Sequence, residues 1–261
     1  MRPEVNSRHF DAMGTTCSLY GMDADLAAGE RWVRLMDDRL TRFSPDSELS
    51  RLNAQAGRWF SVSAELESVL MAALEAHRMS SGLVNAAVLP SMVAIGYSRS
   101  LAEGHAVATL DGARPLTPLP EVLEVRPGQA RAALGSGLDL GGIAKGWMAD
   151  RLCEVLGPDC VVNLGGDLRV RGRWPVGVGD ATLMLRDQGA ATSSTRKRRW
   201  GDVHHLIDPR TGLPAQSGLD EVSVVAATAF EAEVVAKTAL LLGPALAPVY
   251  CASHAMAWWL G

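Results

Sequence analysis

Two pairs of glycines interrupt apolar segments in the middle of this 261-residue chain. The first pair, Gly141-Gly142, precedes a pattern over 143–156 in which apolar residues recur at helical spacing. The second pair, Gly165-Gly166, separates two apolar runs at 160–164 and 168–171. Glycine adopts the positive φ angles that tight turns require. We therefore expect a helix to start after the first pair and two paired strands to be joined by the second.

The rest of the chain also mixes helical and strand patterns. Trp32, Met36, Leu40 and Phe43 form one helical stripe, and Ser63 is a good N-cap for a second helix. Further strands are predicted at 10–20, 174–191 and 222–225, and a final long helix at 231–242. Because the pattern lacks regular βαβ alternation, the sequence predicts an α+β fold, as a single domain over 1–261 or as two intimately joined subdomains.

Composition narrows the function. With 48% hydrophobic and 21% charged residues, the chain can bury a substantial core. Its 25 Lys and Arg against 29 Asp and Glu provide no general positive field, so nucleic-acid binding is not expected. The four cysteines form no CxxC pair, which argues against a zinc site. No apolar run is long enough to span a bilayer and the start lacks a secretory signal, so we expect a cytoplasmic protein that does not span a membrane.

The first glycine pair suits a phosphate. Free amides at a helix start point outward, glycine lets a ligand approach the backbone, and Lys145 adds a mobile positive charge. The segment is not a Walker A sequence, so an ordinary helix start with a surface lysine is the competing interpretation. The second pair lies in Asn163-Leu164-Gly165-Gly166-Asp167, which by itself is typical of a hairpin turn.

Two further segments carry possible chemistry. His204 and His205 lead into Asp208-Pro209-Arg210-Thr211-Gly212, which combines a potential proton acceptor with a carboxylate, a guanidinium and a hydroxyl. The alternative is a strand histidine followed by a β-turn fixed by proline. Glu233 and Lys237 are four residues apart, which favours either a surface ion pair or a shared orientation toward a metal or phosphate site.

Taken in order, these segments resemble the ApbE family, whose members are flavin transferases that move FMN from FAD onto a protein hydroxyl. Each block alone is a weak signal, but several in the same order are specific. The resemblance rests on Met13-Gly14-Thr15, the stretch from Phe43 to Asn53, Gly141 to Gly146, Asn163 to Asp167, Ala191-Thr192-Ser193, His205 to Gly212 and the helix that ends at Gly243.

The resemblance implies an α+β fold of the tunnelling-fold type, with antiparallel strands packed against helices and FAD held in a cleft. It implies cofactor-binding roles for residues from all of these blocks. They are Met13, Gly14, Asn53, Asp139, Gly141, Gly142, Lys145, Asn163, Gly165, Gly166, Asp167, Thr192, Ser193, Arg210 and Thr211.

The reaction implied by the resemblance is magnesium-assisted. A Thr or Ser hydroxyl of a target flavoprotein, membrane-associated or not, attacks the FMN phosphorus of FAD, and AMP leaves. His205 is the candidate general base, Asp208 orients it, and Lys237 is a third catalytic candidate. Two other functions stay open, namely FAD hydrolysis to FMN and AMP, and FAD binding without catalysis.

The chain departs from the family pattern at the expected metal site. Glu233 and Lys237 stand where members often have Asp and, four residues later, Thr or Asp. A protonated lysine has no lone pair for Mg²⁺. Either Glu233 and the Ala144 carbonyl hold the metal with waters, or Lys237 itself supplies the positive charge. Similarly, Asn85-Ala86-Ala87 replaces a common Asp-Pro-Thr.

Overall fold

The computed structural model describes residues 5–22, 24–100, 110, 113–178, 181–200 and 202–261. Its helices are α1 (Leu26–Leu40), α2 (Glu48–Ala54), α3 (Ala64–Met79), α4 (Leu89–Ala94), α5 (Leu119–Val122), α6 (Ala144–Leu156), α7 (Ala229–Leu242) and α8 (Ala247–His254). Its strands are β1 (Asn6–Ala12), β2 (Thr15–Gly21), β3 (Phe60–Ser61), β4 (Leu123–Arg126), β5 (Gln129–Ala132), β6 (Cys160–Leu164), β7 (Asp167–Arg171), β8 (Arg173–Val178), β9 (Ala181–Arg186), β10 (Gly189–Ser194), β11 (Arg199–Trp200), β12 (Val203–His204), β13 (Ile207–Asp208), β14 (Leu213–Pro214), β15 (Glu221–Ala226) and β16 (Ala257–Leu260).

The chain forms two compact units, each assembled from separate stretches of sequence. Unit 1 consists of Met1–Asp37, Ala144–Ser194 and Gly218–Gly261. Unit 2 consists of Asp38–Ile143 and Thr195–Ser217.

Unit 1 is built on a seven-stranded sheet with the order β1-β2-β6-β7-β10-β15-β16. Each neighbouring pair in this sheet is antiparallel. Helices α6 and α7 pack against its central strands. Helices combined with an antiparallel sheet confirm the predicted α+β class.

Helix α7, which the sequence predicted at 231–242, is largely buried. Ten of its residues are buried, including Glu233, so it is apolar around most of its circumference. Two side chains satisfy its first amides. Thr228 accepts the N–H of Glu231, and the carboxylate of Asp150 in α6 accepts those of Ala229 and Phe230, each at 2.9 Å. The start of α7 is therefore tied to α6.

Two sequence expectations for unit 1 were wrong. The single strand expected at 10–20 is the pair β1 and β2, because Met13 and Gly14 both adopt positive φ (53° and 64°) and close a two-residue hairpin. A non-glycine residue at positive φ is uncommon, so the sequence did not indicate the turn. Helix α7 is also not the last helix, since α8 follows it and leads to the edge strand β16.

Unit 2 carries the predicted helix after Ser63. The Ser63 hydroxyl accepts the N–H of Leu66, so α3 begins with the expected N-cap. A small antiparallel sheet, β3-β5-β4, and two short hairpins, β11-β12 and β13-β14, complete the strands of this unit. The two hairpins carry the histidine segment.

In the part of the chain that the structure describes, no helix combines the length and the apolar character that a bilayer crossing requires.

We expect Gly146→Ala to destabilise the fold. A methyl group there would lie 2.7 Å from the carbonyl oxygen of Ala229 and 2.9 Å from Glu233 Oε2, which is closer than van der Waals contact. The better helix propensity of alanine offsets only part of this overlap. Urea unfolding should show a free energy of unfolding lower by about 1–3 kcal/mol, the usual cost of overpacking.

The matched control for this substitution is Gly177→Ala in β8, where an added methyl meets no heavy atom of the described residues within 4 Å. Its free energy of unfolding should change by no more than about 0.5 kcal/mol. Equal effects of the two substitutions would show that the contact between α6 and α7 is not tight at Gly146.

Candidate functional site

In unit 1 the buried ammonium of Lys145 lies between two buried carboxylates. Its Nζ is 2.5 Å from Asp167 Oδ2 and 2.9 Å from Glu233 Oε1. The side chains of Lys145, Asp167 and Glu233 are 14%, 6% and 3% exposed. In place of the mobile surface charge that the sequence suggested, Lys145 is held by two ion pairs that join α6, β7 and α7.

Glu233 also binds the backbone of α6. Its Oε2 accepts the N–H of Gly146 at 2.9 Å, while Oε1 accepts from Lys145. An N–H in the first turn of a helix has no partner within the helix. Glu233 therefore satisfies a buried amide at the start of α6 and neutralises the adjacent ammonium.

The electrostatics of the two carboxyls differ. Burial and the nearby charge of Glu233 raise the pKa of Asp167 to about 6, against the opposing effect of Lys145. Burial also opposes ionisation of Glu233, but Lys145 and Lys237 outweigh it and hold the pKa of this carboxyl below its usual value. Two lysines therefore act on the two carboxylates.

These residues do not fit a magnesium ion. Both carboxylates already accept from an ammonium, and Lys237, which follows Glu233 by one helical turn, offers only donors. Mg²⁺ requires oxygen ligands at about 2.0–2.1 Å in octahedral geometry. Among the described residues, no three His, Cys, Asp or Glu side chains form a group that could hold a metal. The Ala144 carbonyl and Glu233 are therefore a poor pair of ligands here.

The second glycine turn presents Asp167 to Lys145. Gly165 and Gly166 have φ angles of 72° and 104°, and they join β6 to β7 as a two-residue hairpin. The side-chain Oδ1 of Asn163 accepts the N–H of Gly166 at 2.9 Å and fixes the turn. A side chain at position 165 would overlap Thr15, so this turn packs directly on the Met13-Gly14-Thr15 segment.

Met13 is held in its turn by α1, because its N–H donates to Asp37 Oδ2 at 2.6 Å. On β10, the hydroxyl of Thr192 is hydrogen bonded to Ser223 at 2.8 Å, and Ser193 is buried. Thr15 belongs to the Met13-Gly14-Thr15 block named above, but the sequence did not indicate Asp37 or Ser223, because nothing in their local patterns distinguishes them from ordinary helix and strand residues.

In unit 2 the side chains of Asn53 and Asp139 support the backbone before and within the first glycine turn. Asn53 donates to the carbonyl of Leu138 at 2.9 Å and accepts the N–H of the same residue at 2.8 Å. Asp139 Oδ1 accepts the N–H of Gly141 at 2.7 Å. Gly142 continues this turn. Both predicted cofactor-binding side chains are thus engaged in shaping the Gly-Gly segment.

Asp139 is also paired with a buried arginine that the sequence analysis missed. Arg42 Nε lies 2.5 Å from Asp139 Oδ2, and the arginine side chain is only 5% exposed. Its guanidinium carbon lies 4.2 Å from the ring centroid of Phe43 and 4.6 Å from that of Tyr97. Its Nη2 is buried and has no hydrogen-bond partner among the residues that the structure describes. The charge of Arg42 is therefore balanced mainly by Asp139.

The two neighbouring histidines have different surroundings. His204 is buried, its Nδ1 accepts the N–H of Leu206 at 3.2 Å, and its Nε2 lies 3.0 Å from the carbonyl oxygen of Ala215. This pattern requires the proton on Nε2, so both ring nitrogens of His204 are used by the backbone. His205 is half-buried, and its backbone N–H donates to the carbonyl of Arg198. His205 is therefore the better candidate for proton transfer.

Asp208 organises the turn that follows the histidines. Its carboxylate accepts from the backbone N–H of Arg210 at 2.9 Å and pairs with the guanidinium, whose Nη2 lies 2.7 Å away. Although burial opposes it, this pairing lowers the pKa of Asp208. The N–H of Thr211 donates to the carbonyl of Asp208. The end of the turn, at Gly212 and Leu213, lines a cavity of about 280 Å³ in unit 2.

We expect Asp139→Asn to destabilise the protein strongly. The substitution keeps an oxygen for the N–H of Gly141 but leaves the buried charge of Arg42 without its carboxylate. Removing one partner of a buried ion pair costs about 3–5 kcal/mol. The measurement is the free energy of unfolding in urea.

Glu154→Gln is the matched control, because it removes an ion pair with Arg151 in which both side chains are more than half exposed. The free energy of unfolding should fall by no more than about 1 kcal/mol. A loss for Asp139→Asn as small as that of this control would mean that the pairing with Arg42 does not stabilise unit 2.

The sequence matches the ApbE family over residues 13–259. The FAD:protein FMN transferase of Klebsiella pneumoniae is 30% identical over 254 residues, which cover 86% of this chain and 77% of that protein. The crystal structure of the ApbE protein from Thermotoga maritima has a TM-score of 0.86 at 22% identity and covers 98% of this chain and 94% of that one. The apo flavinyl transferase ApbE of Pseudomonas stutzeri has a TM-score of 0.84 at 21% identity, covering 100% and 93% of the two chains. The resemblance inferred from the sequence motifs is thus confirmed, and the chain belongs to the ApbE family.

Proposed function

We propose that this protein transfers FMN from FAD to a threonine or serine hydroxyl of a target flavoprotein and releases AMP. The observation that carries the proposal is the similarity to the FAD:protein FMN transferase of Klebsiella pneumoniae, which extends over 86% of this chain. The family match over residues 13–259 includes the glycine turns and the histidine segment, so the candidate binding and catalytic residues belong to it.

The reaction is a phosphoryl-type transfer. The target hydroxyl oxygen forms a bond with the FMN phosphorus, and the bond from that phosphorus to the bridging oxygen breaks. The bridging oxygen leaves with AMP and keeps the electron pair. Such reactions depend mainly on alignment and on neutralising the negative charge that develops.

His205 takes the proton of the attacking hydroxyl in this scheme. A neutral imidazole accepts a proton near neutral pH, and the adjacent His204 is already committed to two backbone hydrogen bonds. Asp208 is paired with Arg210, so it acts on this region by holding the turn in place. Asp208 is therefore a positioning residue.

The glycine turns serve the diphosphate and flavin through their backbone. The segment from Gly141 leads into the thirteen-residue helix α6, whose first-turn amides favour an anion. The side chains of Asn53, Asp139 and Asn163 accept the N–H groups of Leu138, Gly141 and Gly166, which fixes the shape of these turns. No step of the scheme uses magnesium, because Glu233, the carboxylate expected to bind it, is paired with Lys145.

The test is to follow both products of FAD. The purified protein is incubated with FAD and an immobilised library of threonine-containing peptides, once with Mg²⁺ and once with EDTA. AMP is measured by chromatography, and the peptides are analysed by mass spectrometry. Transfer predicts AMP and peptide-bound FMN in equal amounts. Free FMN and AMP without modified peptide would indicate a hydrolase, and FAD binding without AMP would indicate a carrier. Either result would exclude the proposed function for the peptides tested.

We expect His205→Ala to reduce the rates of AMP release and peptide modification together. Loss of a general base typically lowers a rate by about 100-fold or more. FAD affinity should stay close to that of the unmodified protein, and the urea midpoint shows whether the variant is folded. The control is His9→Ala, which removes an exposed imidazole from β1. A His205→Ala protein as active as this control would show that another group accepts the proton.

A further inference from the structure

Unit 1 contains a group of four charges that we name the lysine-carboxylate cluster: the buried Asp167 and Glu233 and the partly buried Lys145 and Lys237. Three elements contribute to it, since Lys145 belongs to α6, Asp167 begins β7, and Glu233 and Lys237 lie on α7. The cluster occupies the position at which the sequence motifs predicted a metal ligand. Its composition therefore decides which cation the site accepts.

The ammonium of Lys145 already bridges the carboxylates of Asp167 and Glu233. Lys145 Nζ is 2.5 Å from Asp167 Oδ2 and 2.9 Å from Glu233 Oε1, while Glu233 Oε2 accepts the N–H of Gly146. A divalent ion that bound both carboxylates through these oxygens would have to displace Lys145. The displaced ammonium would then lose both of its buried ion-pair partners, which is unfavourable.

Lys237 adds a second positive charge to the same place. It lies one helical turn after Glu233, on the same face of α7, and its charge acts on both Asp167 and Glu233. Two ammonium groups therefore balance two carboxylates. A dication added to this neutral cluster would meet two like charges with no uncompensated negative charge to attract it.

We infer that this chain binds no divalent cation at Asp167 and Glu233, and that Lys237 supplies the positive charge that a metal ion would otherwise supply there. As far as it concerns catalysis, the inference rests on the proposed function. When the bond between the FMN phosphorus and the bridging oxygen breaks, negative charge grows on the AMP that leaves. A fixed ammonium stabilises that charge without a metal.

The first experiment measures metal binding directly and needs no FAD. Mn²⁺ is titrated into the full-length protein, and the electron paramagnetic resonance signal of free Mn²⁺ is recorded. The unmodified protein should leave the signal unchanged. Lys237→Asp and Lys237→Thr replace the ammonium with oxygen ligands. Lys237→Asp should bind one Mn²⁺ and lower the signal of free Mn²⁺, because a positive charge next to the ion becomes negative.

The matched control is Lys197→Asp, which makes the same change of charge at an exposed lysine. It should not create Mn²⁺ binding. Urea unfolding of each variant shows whether it is folded, and Lys237→Thr serves if the added carboxylate of Lys237→Asp prevents folding. One tightly bound Mn²⁺ in the unmodified protein would overturn the inference. If Lys237→Asp and Lys237→Thr are folded and neither binds Mn²⁺, Lys237 is not the residue that excludes the metal.

The second experiment connects the cluster to the reaction. The unmodified protein should release AMP at the same rate in EDTA as in Mg²⁺. Lys237→Met should release no AMP under either condition, and Lys237→Arg should release AMP faster than Lys237→Met. Dependence of the unmodified protein on Mg²⁺ would contradict the inference but leave FMN transfer intact. Failure of FMN transfer would instead leave the Mn²⁺ measurement valid, so the two proposals fail separately.

Discussion

The ion pairs of Lys145 with Asp167 and Glu233 are the interaction on which the centre of unit 1 depends. Both carboxylates are buried and the Lys145 side chain is only 14% exposed, and a charge removed from water without a partner is strongly unfavourable. The pairs are possible only because the backbone comes close at two places. Gly146 lets α6 approach α7, and the turn at Gly165 and Gly166 places Asp167 at the start of β7. The glycines and the charges of this region are therefore parts of one arrangement.

Unit 2 also has a buried ion pair that is linked to a glycine turn. Arg42 and Asp139 form a buried pair, and the other oxygen of Asp139 holds the N–H of Gly141. Asn53 clamps both backbone groups of Leu138. In both units, polar side chains that a motif would assign to ligand contact are found holding backbone. The consequence is a set of turns whose shape is fixed by side-chain hydrogen bonds to their N–H groups.

Sequence reasoning was reliable where the signal is local. The N-cap at Ser63, the strand β6 and the helix α7 depend on spacing and capping within a few neighbouring residues, and each was found near its predicted position. It failed at the hairpin of Met13, where a non-glycine residue adopts positive φ, and at Arg42, whose partner is 97 residues away along the chain. Neither feature has a local pattern that could have indicated it.

The sequence by itself therefore determined the family, the α+β class, the glycine turns and the residue types available for chemistry, because ordered motifs and periodicity are properties of neighbouring positions. Only the tertiary structure decided what those residues do to one another. Lys145 and Glu233 are 88 positions apart, yet their charged atoms lie 2.9 Å from each other. The strength of such a pair depends on distance and burial, which no reading of residue order supplies.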